Sequence, residues 1–84
     1  MDTTYDTAQP GDFFRTHNGA WMWLDSDLRP QSPIDADVTD RETGRRGYII
    51  RVVRGSRVLV GWRDDRGLVC DQETVDASTL RADV

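Results

Sequence analysis

The sequence predicts an all-β domain in which five or six short strands curl into a small barrel. Three observations carry that prediction. Apolar residues alternate with polar ones in short runs, and no apolar repeat at helical spacing is sustained. The runs are separated by turn signals: Asn18-Gly19, Gly55-Ser56 and Asp64-Asp-Arg-Gly67. The chain has 84 residues, which is enough for one hydrophobic core and not for two. A single domain over residues 10–84 follows, preceded by a loose tail at 1–9 where apolar residues are few.

The first hairpin is read from Asp12-Phe-Phe-Arg-Thr-His17 and Ala20-Trp-Met-Trp-Leu-Asp25 around Asn18-Gly19. Asn-Gly suits a two-residue turn because both positions must accept positive φ. That turn sets Thr16 opposite Trp21, Phe14 opposite Trp23 and Phe13 opposite Leu24. One face then carries Phe14, Trp21 and Trp23, and the other Phe13, Met22 and Leu24. Both faces are apolar, and a domain this small has one core. Either the tail or the following loop covers the second face, or that face, the aromatic one, is offered to a partner.

Residues 26–46 hold Pro30, Pro33 and dense Asp, Ser and Thr. They are expected to form an enlarged acidic loop with at most a short helical turn near 33–37. From Gly47 the pattern is firmly β. Tyr48–Arg54, the Gly55-Ser56 turn and Arg57–Arg63 make a second hairpin, with Val58, Val60 and Trp62 on one face and Leu59, Gly61 and Arg63 on the other. Leu68–Gln72 is a further strand, Val75–Ser78 a turn or single helical turn, and Thr79–Val84 the closing strand.

Gly44-Arg-Arg-Gly47-Tyr-Ile49-Ile-Arg-Val52 followed by Val58-Leu-Val60-Gly61 resembles the KOW motif of SH3-like barrels, with two glycines three apart, spaced aliphatics, a turn and a Val-x-Val strand. Val60-Gly-Trp62-Arg-Asp64 with Gly67 and Leu80 is similar to the wider Tudor- and SH3-like group. The resemblance is clearest over residues 44–67. It implies an SH3-like barrel whose first strand lies near Pro10–Phe13 and whose enlarged first loop runs to Arg46. It further implies a non-catalytic module binding protein or nucleic acid, and fold alone does not choose between the two.

Charge separates along the chain. All eleven basic residues are arginine and thirteen of the fifteen acids are aspartate, a bias expected of a GC-rich genome such as that of an actinobacterium or its phage or plasmid. Net charge is −4 overall, but residues 41–66 carry eight arginines against Glu42, Asp64 and Asp65. Arg45, Arg46, Arg51, Arg54, Arg57 and Arg63 therefore form a candidate phosphate-binding stripe on the second hairpin. Arg51 faces outward with Ile49 and Val52 inward only if the strand is bulged. The alternative is that these arginines pair with the surplus aspartates or keep the sheet soluble.

Other chemistry finds little support. Asp35-x-Asp37-x-x-Asp40 lacks the glycine and terminal glutamate of a calcium loop. Cys70 and His17 have no partner pattern for nucleophilic catalysis, and no phosphate loop, CxxC or HExxH occurs. No metal, cofactor or catalytic residue is expected. The lone cysteine, the short apolar runs and an N-terminus without signal-peptide order point to the cytoplasm and not to a membrane. The expected function is an accessory, regulatory or assembly module. It would bind a protein through Phe14, Trp21 and Trp23, with nucleic-acid binding through the arginine hairpin and self-association as alternatives.

Overall fold

The computed structural model describes residues 7–84. It contains two antiparallel sheets. Phe13–Arg15 (β1), Trp21–Leu24 (β2) and Pro30–Gln31 (β3) make the first, in that order. The second uses Asp37–Asp40 (β4), Arg46–Arg54 (β5), Arg57–Arg63 (β6), Val69–Asp76 (β7) and Leu80–Ala82 (β8), in the order β7-β6-β5-β4-β8. One 3₁₀ turn, Ala77–Thr79, precedes β8. The fold is therefore all-β and barrel-like, but among the described residues it is not closed: β8 returns beside β4, and β7 pairs there with β6 alone.

The first hairpin is slipped by one residue from the expected pairing. Arg15 faces Trp21, Phe14 faces Met22 and Phe13 faces Trp23. The connection uses three residues, not two. Gly19 N–H donates to the Thr16 carbonyl at 3.0 Å, and Thr16 N–H donates to that of Ala20 at 2.8 Å, with Gly19 at φ 84°. Thr16 steadies the longer turn, its hydroxyl accepting from Ala20 N–H at 3.1 Å and donating to Asn18 Oδ1. A one-residue slip moves every side chain to the other face. Phe13, Trp21 and Trp23 thus share one face with Arg15, while Phe14, Met22 and Leu24 share the opposite one.

The Phe13–Trp21–Trp23 face packs on the core of the larger sheet, formed by Val38, Ile49, Val58, Val60, Trp62, Ala77, Leu80 and Ala82. The Phe14–Leu24 face is covered by Ala8, with Met22 alongside. Residues 7–9 are thus not all loose: Ala8 is buried as part of this second cluster. Residues 1–6 of the expected tail lie outside the described part.

The expected 26–46 loop is the largest correction, because it contains β3 and β4 and raises the strand count among the described residues to eight. β4 reads Asp-Val-Thr-Asp, and its one large apolar side chain, Val38, is fully buried. β4, not Pro10–Phe13, is the strand beside which the chain closes, pairing with β5 on one side and β8 on the other. The first sheet is fastened to that seam. Ala82 N–H donates to the Gly11 carbonyl at 2.9 Å, and Arg41 bonds both Asp12 Oδ1 (2.7 Å) and the Leu80 carbonyl (3.2 Å).

The second hairpin follows the expected course. Arg54 faces Arg57 across Gly55-Ser56, and Val58, Val60 and Trp62 are all buried. The register shifts between Ile49 and Arg51, so the expected bulge is present. β7 runs four residues beyond the expected Gln72. No helix among the described residues is long and apolar enough to cross a membrane.

Candidate interaction surface on the outer sheet face

Alternation on β6 sends Val58, Val60 and Trp62 inward and Arg57, Leu59, Gly61 and Arg63 outward. Pairing places Tyr48 and Gln72 on either side of Gly61, and Arg51 and Thr74 on either side of Leu59. Gly61 contributes no side chain, and its neighbours lean into the space above it. A methyl group there would meet Tyr48 Cε1 at 3.0 Å, Val69 Cγ1 at 3.3 Å and Ile50 Cδ1 at 3.4 Å. Tyr48, Ile50 and Leu59 are half-buried, and Val69 keeps 44% of its surface exposed. The bulge creates this patch, since it turns Ile50 toward the same side as Tyr48 and Arg51.

The six candidate arginines divide into two groups. Arg51, Arg54 and Arg57 are exposed toward the Gly55-Ser56 end and make no salt bridge among the described residues. The other three lie toward the far end of the hairpin, roughly 25 Å away at ~3.3 Å per residue, and each has a partner. Arg63 pairs with Asp37 at 3.3 Å and lies 5.2 Å from the Tyr48 ring centre. Arg46 pairs with Asp83 at 3.5 Å, and the Arg45 guanidinium lies 4.9 Å from the ring centre of Trp62. These three also line a surface groove of about 800 Å³ together with Asp64, Asp65 and Cys70. The aspartates neutralise that end, while at the hairpin tip Asp76 stands across from Arg57 and leaves three arginines against one acid.

Phe14, Trp21 and Trp23 do not form one exposed face. Phe14 is fully buried on the opposite side of the hairpin, and Trp21 is only 8% exposed. Trp23 is half-buried against the core, its indole N–H donating to the Ser32 carbonyl at 2.8 Å. Sequence reasoning set Leu59 on the outer face beside Arg63 but missed Ile50 and Val69 as its surface neighbours. The signal was present, since Tyr-Ile-Ile-Arg-Val-Val offers apolar side chains to both sheet faces and only one of those faces is core.

The acids of residues 25–40 serve separate local purposes. Asp25 Oδ1 accepts from the Asp27 and Arg29 amides, each at 2.9 Å, and Asp40 Oδ1 accepts from those of Glu42 (2.8 Å) and Thr43 (2.9 Å). Among the described residues no three His, Cys, Asp or Glu side chains converge on a point.

These turn bonds depress acidities below the ordinary aspartate value of 3.8. The Arg29 amide does so for Asp25, the Thr43 amide for Asp40, and the Ser78 amide, helped by the Ser78 and Ser56 hydroxyls, for Asp76. A carboxylate more acidic in the folded state stabilises the fold above its unfolded pKa and ceases to do so as pH falls through the folded value. Urea midpoints should therefore be level above about pH 5 and decline below about pH 4. Asp76→Asn should shrink that decline.

No family model, curated protein or solved structure matches this chain.

Proposed function

We propose that this chain is a non-enzymatic interaction module, an SH3-like small barrel acting in the cytoplasm, that binds an acidic surface of a protein partner through the outer face of β5, β6 and β7. The carrying observation is the composition of that face: Tyr48, Ile50, Leu59 and Val69 gathered over Gly61, with Arg51 and Arg54, which make no salt bridge among the described residues, and Arg57, which stands across from Asp76, beside them. An apolar centre with tyrosine and arginine is the make-up of protein-binding patches. The meander that brings its last strand back beside its first supports the barrel reading. The exposed, unpaired thiol of Cys70 agrees with a reducing compartment. The functional role carries over from the aromatic hairpin expected from sequence, and the surface changes.

A pull-down tests this reading. The wild-type protein should retain a partner that Arg51→Glu/Arg54→Glu/Arg57→Glu loses, while that variant keeps its urea midpoint. Labelled DNA and RNA decide the competing reading. Three arginines on phosphates would make affinity fall about 40-fold between ~50 and ~200 mM salt. Such a fall, abolished by the same triple variant, would replace the protein-binding reading with a nucleic-acid one.

A further inference from the structure

The five-stranded sheet has two edges, and they are treated differently. At β8 the Ala82 N–H is taken up by the Gly11 carbonyl. At the other edge β7, eight residues long, pairs with β6 on one side and with no strand on the other among the described residues. Five of its residues, Val69 to Glu73, are exposed.

The hydrogen-bonding direction of β7 follows from its end. Ala77 N–H donates to the Ser56 carbonyl at 2.7 Å, one step beyond the Asp76–Arg57 pair. Backbone groups alternate along an antiparallel ladder. Val75, Glu73 and Asp71 therefore bond toward β6, and Asp76, Thr74 and Gln72 face outward. Two local bonds agree with this assignment. The Gln72 N–H is occupied by Asp71 Oδ1 at 2.9 Å, and the Asp76 carbonyl accepts the Thr79 hydroxyl at 2.7 Å. Among the described residues, the N–H and carbonyl of Thr74 remain open to a neighbouring strand.

The side chains define what that strand must carry. Asp71, Glu73 and Val75 stand opposite Trp62, Val60 and Val58, on the inner side of the sheet. Val75 packs on the core, while the two acids are exposed where the barrel stays open. Glu73 is held there by the Trp62 indole N–H at 3.3 Å. Inward-facing charges on an edge repel unsuitable strands. A second copy of β7 paired with Glu73 opposite Glu73, or with Asp71 opposite Glu73, would bring like charges together on the inner side of the sheet, which is unfavourable across strands. A cationic strand turns this repulsion into attraction.

We infer that β7 accepts an extended cationic segment of a partner protein as a sixth strand, with basic side chains beside Asp71 and Glu73 and an apolar one beside Val75. Main-chain bonds to Thr74 hold the segment, and the acid pair selects it. This inference rests on the edge and is independent of the outer-face reading.

The test uses ¹⁵N-labelled protein and two synthetic peptides, Thr-Arg-Thr-Arg-Thr-Val-Thr and the same peptide with glutamate for arginine. The arginine peptide should shift the amide signals of residues 71–76 and slow hydrogen exchange at Thr74. The glutamate peptide should bind about tenfold more weakly. Asp71→Lys/Glu73→Lys should reverse that preference, and Thr74→Pro should abolish binding while leaving the ladder to β6 intact. Shifts confined to Tyr48, Ile50 and Leu59, or no shift at Thr74 at millimolar peptide, would overturn the inference. Protection of Thr74 that grows with protein concentration in the absence of peptide would also overturn it, by identifying a second copy as the occupant.

Discussion

Trp62→Ala and Trp21→Ala are each expected to destabilise the domain by about 3–5 kcal/mol, the range for removing a buried tryptophan. Trp62 is 1% exposed in the core beneath the larger sheet, and Trp21 joins the smaller sheet to the same core. A small domain has a total stability of roughly 5–10 kcal/mol, so either variant should be unfolded or nearly so at 37 °C. Urea denaturation followed by far-UV circular dichroism measures the effect. Trp23→Ala provides the contrast, since Trp23 is only partly buried and should cost markedly less. If Trp21→Ala stayed within about 1 kcal/mol of wild type, the smaller sheet would not be anchored through this residue. A folded Trp21→Ala protein that had lost its partner would return the binding site to the first hairpin.

The second large effect is expected at Gly47. An added methyl group there would lie 2.5 Å from the Gly61 carbonyl oxygen and 3.0 Å from both Trp62 Cε3 and Val60 Cγ1. The carbonyl belongs to the paired strand and cannot withdraw without breaking the ladder. Gly47→Ala should therefore cost about 3 kcal/mol through overpacking, which lowers Tm by roughly 12–24 °C in a domain of this size. Gly61→Ala should be milder, because the atoms it meets are the ends of side chains on an open face. A thermal melt of the two variants side by side decides the point. Equal losses would mean that the Gly47–Gly61 approach is looser than the structure shows.

The second hairpin was legible because local chemistry and long-range packing agree there. Arg54-Gly-Ser-Arg57 makes its own turn, and Val58, Val60 and Trp62 alternate toward a single core. β4 was not legible, because Asp-Val-Thr-Asp holds one large apolar side chain and is a strand only by virtue of its two neighbours. The first hairpin was legible as a hairpin and not in its register. Asn18-Gly19 signals a two-residue turn, while the Thr16 side chain stabilises a three-residue one. That single residue moved Phe14 away from the tryptophans. At the arginine site, residue type was visible and occupancy was not. Arg63 and Arg46 meet aspartates from β4 and from just beyond β8, partners that only the fold brings near.

The seam between Gly11 and Ala82 also sets when the domain can be completed during synthesis. β4 is bounded by β5 on one side and β8 on the other, and the first sheet is fastened to that last strand. A growing chain whose residues 80–82 are still inside the ribosome has an open β4 edge and a Gly11 carbonyl with nothing to accept. Its first hairpin can form early from local contacts, yet the hairpin must wait for the last strand before its tryptophans are sealed. Closure is a late and long-range event. Until that strand emerges, the tryptophan face is apolar surface of the kind that promotes aggregation.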